Sequence, residues 1–436
     1  MTNIIFLMPF FAIAWFIFFI TKNQLNNILT GLIFVSYLFF ATNYENFGLE
    51  IDIFRYLHRF IGVIAILFLL IHIVRFKVNL FKEKVPIIMA SFLLVLLCSY
   101  VGNDIYFQYY FHYVRNFIFI SAVALYLYFY IDSNEKLDEI FSLIVSLTLI
   151  LVFFAFIDVL TMGFSNRRVT LVFSNPNYLG IALMPGLILS LFSEKKILLF
   201  SSIFIFIAIL LTESSAAIIS AVFAIFIYLF SKTFKKILLV PFLICIALLL
   251  NSLPYTAESI KSKMLSRISL AAISLNIFEQ HPLNGIGYGQ FRKNFHNYID
   301  LDVFKLNSLE INNAYLANNP TSPFLETGIY KDLNPVDKDS IVYGYKEKMT
   351  HSDLLTIIAE LGLIGLSFLV FLFYKLYAEL KKLLFYNKTN FYKVALLIAT
   401  SLIFSLFHNN MTSFMFWFLI IIPFLMNRNY KNYLNL

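Results

Sequence analysis

Arg115, Arg167, Arg168, Arg267 and His351 are the residues whose types and placement suit chemistry in this chain. A guanidinium offers a planar fork of donors that matches two oxygens of a phosphate at once. An imidazole titrates near neutral pH and can take a proton from a hydroxyl. Together they suit one kind of transfer, in which a lipid-linked diphosphate is held while an acceptor hydroxyl attacks the sugar attached to it. The leaving diphosphate gains charge as its bond breaks, and fixed cations stabilise that charge. Each residue also has a plainer reading. Arg55, Arg59 and Arg115 can snorkel to lipid headgroups. Arg267, near Lys261 and Lys263, can belong to the solvated face of an amphipathic helix. His351, with Ser352 and Asp353, can form a simple helix cap, and His408 can be a second interfacial histidine.

Two other chemistries compete less well. Asp300 and Asp302 form a doublet that could hold a divalent metal for a metal-dependent glycosyltransferase. Gly285, Gly287 and Gly289 resemble a phosphate loop, but they follow a helical pattern instead of a strand, which argues against nucleotide binding.

The elements that must position these residues are membrane spans. Hydrophobic residues make up 60% of the 436 and charged residues 13%, about half the usual charged share of a soluble domain. Apolar runs recur at the length a hydrocarbon core about 30 Å thick demands of a helix, where a β-barrel would show shorter alternating segments. The expected class is an all-α polytopic membrane protein with about 12–13 transmembrane helices. Candidate spans lie near 3–20, 28–42, 59–74, 85–100, 115–131, 139–161, 176–193, 197–211, 214–230, 236–250, 351–374, 391–407 and 411–427. The first lacks a basic leader and a cleavage site and is expected to be retained. Cys98 and Cys245 both sit in apolar runs, which argues against a disulfide framework.

Charge sets the orientation. Arg75, Lys77, Lys82 and Lys84 share one loop and Lys195 and Lys196 another. Lys232, Lys235 and Lys236 form a third, and Lys375, Lys381, Lys382 and Lys388 a fourth. Strict alternation puts all four on one side with Arg428 and Lys431, so that side is the cytoplasm. The net charge of +8 therefore reports topology, not nucleic-acid binding. The expected organisation is 1–250 as about ten spans, 251–350 as a large extracytoplasmic loop domain, and 351–436 as two to three spans with a short cytoplasmic tail. The named arginines and His351 then fall on the outer side, where topology disfavours cations. Arg167 and Arg168 precede Asn175-Pro176-Asn177, a span start with a cap and a first-turn proline.

Within the outer segment, Ile260, Met264, Ile268, Ala271, Leu275 and Phe278 recur at helical spacing over 256–279. His281-Pro282 ends that helix, a flexible glycine turn follows, and 307–348 reads as an irregular loop.

Three stretches carry a resemblance. One runs from Arg167-Arg168 through Asn175-Pro176-Asn177 to Gly180. The second runs from Arg267 to His281-Pro282 and on to Gly285, Gly287 and Gly289. The third is His351-Ser352-Asp353 continuing to Glu360, Gly362 and Gly365. In this order they resemble the O-antigen ligase family, which includes O-antigen and capsule polymerases, over about residues 140–375. The resemblance implies a GT-C type fold and a metal-independent inverting glycosyltransferase without cofactor in the bacterial cytoplasmic (inner) membrane. It implies a glycan donor on undecaprenyl diphosphate and an acceptor that is lipid A–core for a ligase, or another lipid-linked glycan for a polymerase. By the resemblance, His351 activates the acceptor hydroxyl, while Arg267 and one of Arg167 and Arg168 contact the diphosphate. Ser215, in Thr212-Glu213-Ser214-Ser215-Ala216, stands where the family often has an arginine, so one contact is absent or comes from elsewhere, such as Arg115. A transporter or flippase is the more distant reading, since such proteins place ionisable groups at mid-membrane. A structural or assembly role would leave the outer arginines dispensable.

Overall fold

The computed structural model describes residues 14–15, 28–36, 52–103, 105–162, 169–171, 173, 176–231, 257–298 and 350–434. Among them every regular element is a helix. The expected span at 3–20 apart from residues 14–15, the span at 236–250, Arg167 and Arg168, Asp300 and Asp302, and the loop 307–348 lie outside the described residues.

The first described helices are α1 (Ile28–Val35), α2 (Asp52–Phe76), α3 (Lys84–Cys98), α4 (Phe107–Tyr130) and α5 (Asn134–Met162). They are followed by α6 (Pro176–Leu191), α7 (Lys196–Leu211), α8 (Ser215–Ser231), α9 (Ala257–Gln280) and the single turn α10 (Phe291–Asn294). A short α11 (Asp353–Thr356) passes through a π-helical turn, Ile357–Leu361, into α12 (Gly362–Tyr386). Helices α13 (Lys388–Phe407) and α14 (Phe414–Leu434) close the described chain. Within the described residues, five stretches are long and apolar enough to cross a membrane, and α3, α6, α7 and α8 are shorter apolar helices. Each overlies its sequence-expected span, though α2 and α4 begin earlier, at Asp52 and Phe107, and α12 runs on to Tyr386.

Aromatic side chains hold the bundle centre. The Phe92 ring of α3 packs 4.7 Å from Phe368 of α12, 4.8 Å from Phe117 of α4 and 5.3 Å from Trp417 of α14. Around α6 the packing is by small residues instead. A Cβ on Gly186 would fall 2.2 Å from Thr148 Oγ1 of α5, and one on Gly180 2.6 Å from Ala217 of α8. Helices in lipid lack a hydrophobic drive to associate, so close backbone approach and van der Waals contact must hold them.

One end of α12 is tied by charge. Glu379 is buried and accepts from Lys84 Nζ at 2.5 Å, Lys382 Nζ at 3.0 Å and Asn427 Nδ2 at 2.8 Å, joining α3, α12 and α14. Lys84 and Lys382, which the charge pattern puts in cytoplasmic loops, lie instead within helices α3 and α12. Glu379 stands 17 residues after Gly362, which at 1.5 Å per residue puts this tie roughly 26 Å along α12 from its start. The segment 350–361 therefore sits at the opposite face from the lysines.

Candidate functional site

Helix α9 forms over the expected range, but its buried face differs from the expected stripe. Leu270, Ile273 and Ile277 are buried, whereas Ile268 and Leu275 are exposed. The helix is apolar on two sides, and tertiary partners choose between them. Ile286, Phe291, Phe295 and Ala359 pack against the Leu270–Ile277 side. This choice turns Arg267 inward. Its guanidinium is about half-buried and donates from Nη1 to the carbonyl oxygens of His351 and Phe407. Burial lowers its pKa, yet a guanidinium starts so high that it stays charged. Arg267 is thus no solvated surface cation. It bridges the start of one span and the last turn of α13, where a cation also meets the negative end of the helix dipole.

His351 lies at the entry to the α11–α12 segment with φ +54°, a left-handed backbone uncommon for residues other than Gly, though His, like Asn and Asp, is enriched there. Its ring stands edge-on to His408, with centroids 6.0 Å apart, and His408 in turn stacks on Phe404 at 4.9 Å. Ser352 does cap the helix, accepting from Leu355 N. Asp353 does something different. It is buried, and its Oδ2 accepts from the backbone N–H of Asn410 at 2.8 Å and Met411 at 2.9 Å, pinning the α13–α14 connection. Thr350, Thr356 and Asn409 form a hydroxyl and amide chain beside it.

The glycine turn, expected from sequence as a flexible one, is hydrogen-bonded to two neighbouring segments. Gly285, Gly287 and Gly289 all take positive φ, and the turn is fastened on two sides. Towards the α3–α4 connection, Asn103 Nδ2 donates to Gly285 O at 2.9 Å, Tyr288 N to Ser99 Oγ, and Tyr106 N to Gln290 Oε1. Towards α12 it meets Glu360, whose two carboxylate oxygens accept from Gly289 N and Phe291 N at 2.8 Å each. Burial, with Glu360 nearby, raises the Tyr288 pKa well above its ordinary value, so that hydroxyl stays protonated.

These groups surround a cavity of about 30 Å³ lined by Tyr113, Arg292, Thr350, Asp353, Glu360 and Asn409, among others. That volume suits about one water. The structure therefore brings Arg267 and His351 together, 84 positions apart in sequence, next to a polar recess at one face of the bundle. Arg115 is not part of this contact. Its Nη2 lies 3.1 Å from His112 Nδ1 and its guanidinium rests over Phe111, both on its own helix. Ser215 begins α8, with Ser214 Oγ accepting from Ala217 N ahead of it. Among the described residues no cluster of three or more His, Cys, Asp or Glu could hold a metal ion.

Sequence reasoning gave no role to Glu360 or Arg292, and gave Asp353 only a place in a helix cap. A signal existed for Glu360, the one charged residue in 354–374, since an ionisable group inside an apolar span needs a specific partner.

A family model described as O-antigen ligase matches residues 200–329. The matched range contains α8, α9 with Arg267, and the glycine turn, and ends before His351 and Glu360. No curated protein and no solved structure matches the chain.

Proposed function

We propose, from the premise that this chain belongs to the O-antigen ligase family matched by residues 200–329, that it transfers a glycan from undecaprenyl diphosphate to an acceptor hydroxyl. The transfer takes place at the outer face of the bacterial cytoplasmic membrane, with lipid A–core as acceptor, on a GT-C type fold whose large loop domain, 251–350, is extracytoplasmic. The observation that carries this reading is the contact of Arg267 with His351 O at the bundle face opposite the lysine-bound end of α12.

In this reading the acceptor hydroxyl attacks the anomeric carbon and its proton passes to the His351 imidazole. The bond from that carbon to the diphosphate oxygen breaks with inversion, and the electron pair leaves on the diphosphate. Arg267, with Arg115 and one of Arg167 and Arg168, meets the charge that grows there. A cation held by two backbone carbonyls is oriented in advance, so it stabilises the transition state without reorganising. No metal is needed for any of these steps.

The test is reconstitution of the purified protein with an undecaprenyl-diphosphate-linked glycan extracted from its host and lipid A–core as acceptor. Transfer is expected in the presence of EDTA, and Asp302→Asn is expected to keep it. If EDTA abolishes transfer and Mg²⁺ or Mn²⁺ restores it, the metal-free mechanism is wrong. Product forming only on a second lipid-linked unit would make the enzyme a polymerase.

A further inference from the structure

Glu360 is buried, with 4% of its surface exposed. Withdrawing a carboxylate from water is costly unless its oxygens are fully hydrogen-bonded. Each oxygen accepts one bond, and both partners are backbone N–H groups of one turn: Gly289 on Oε2 and Phe291 on Oε1, each at 2.8 Å. The backbone around Glu360 engages the same turn. Ile286 N donates to Ala359 O at 3.0 Å and Gly287 N to Glu360 O at 3.1 Å. Those carbonyls lie in the π-helical turn, just before Gly362 takes φ +58°. A π-turn shifts the intrahelical pairing and leaves carbonyls for other donors. Bonds also run the other way, from Leu363 N to Pro282 O at 2.8 Å and from Ile364 N to Leu283 O at 3.0 Å. The fit is tight enough that a Cβ on Gly285 would fall 2.3 Å from the Glu360 carbonyl carbon, and one on Gly362 2.7 Å from Pro282 O.

This interlock joins the two halves of the site. The turn directly follows α9, which carries Arg267, and Glu360 stands nine residues after His351 on the segment that enters α12. We propose that Glu360 is a positioning residue whose carboxylate holds the 282–291 turn against the π-turn, so that Arg267 and His351 keep their relative placement for glycan transfer. The proposal rests on the transfer reading above. Only a side chain with two acceptor oxygens satisfies both N–H groups. Glutamine has the same shape but presents one acceptor and an NH₂ group, which sets a donor against a donor.

Hydrogen–deuterium exchange of the solubilised full chain tests the contact without any substrate. In Glu360→Gln and Glu360→Ala, the amides of Gly289 and Phe291 are expected to exchange at least ten-fold faster than in the parent. A space-filling role predicts that the isosteric Gln variant exchanges like the parent, and that result overturns the proposal. A second measurement tests positioning. Leu283 and Leu363 are both exposed and lie beside the Pro282 and Leu283 backbone bonds. Cysteines at these two positions, with Cys98 and Cys245 replaced by Ala, can be joined by a short bis-maleimide. Joining them in the Glu360→Ala protein should recover transfer at least ten-fold. Faster exchange with no recovery on cross-linking would overturn the positioning role. A parent protein that transfers nothing from the undecaprenyl diphosphate donor would sink the function reading separately, while exchange still decides whether Glu360 holds the turn.

Discussion

Replacing His351 by Gly and by Ala separates its backbone from its imidazole. His351 takes φ +54°, and an L-residue there carries roughly 1–2 kcal/mol of strain that glycine does not. Its carbonyl accepts from Arg267, and neither substitution touches that bond. Both remove the edge-on contact with His408, a loss of about 0.5–1 kcal/mol shared by the two variants. Glycine also adds freedom to the unfolded chain, which offsets about 0.4–1 kcal/mol of its gain. The Gly variant should therefore be more stable than the Ala variant by about 0.5–1 kcal/mol, read as a higher midpoint in thermal unfolding of the solubilised protein. Glycan transfer should fall in both by a similar factor of about 10²–10⁴, the usual contribution of a general base. A Gly variant less stable than Ala would refute the backbone argument. Transfer surviving in either would remove the imidazole from the chemistry and leave His351 as an interfacial anchor.

Arg267→Ala should reduce transfer roughly 30- to 1000-fold, since a contact to the leaving group contributes about 2–4 kcal/mol. Arg267→Lys should recover only part, because an ammonium cannot reproduce the fork; near-normal polysaccharide at normal protein level would exclude the assignment. Gly285→Ala places a Cβ 2.3 Å from the Glu360 carbonyl carbon at φ +64° and should lower stability by about 2–4 kcal/mol. Gly102→Ala is its control, with positive φ but nothing within 4 Å, and should cost about 1 kcal/mol; equal losses would show that the interlock adds nothing. A cysteine near Asn313 should react with an impermeant reagent on intact cells, and cysteines in 75–84 or 375–390 only after permeabilisation; the reverse pattern would invert the topology.

Hydropathy determined the all-helical class and the places of most of the described helices without any tertiary information. The apolar helices α3 to α8, α12 and α13 were legible because a helix in lipid must satisfy its own backbone bonds, and that demand is local and long. The end of α9 at His281-Pro282 was legible for a similar reason, since proline acts on its immediate neighbours. What packs against what was not. Helix α9 offered two apolar sides, and contact with Phe291, Phe295 and Ala359 selected the Leu270–Ile277 side, which turned Arg267 inward. The glycines of 285–289 looked loose because glycine alone reports permitted backbone angles and says nothing of what fastens them. Glu360 supplies that fastening from 71 positions away. Pairing Arg267 with His351, and a carboxylate with two distant amides, depends on surfaces that meet only after the bundle assembles, so only the tertiary structure could decide them.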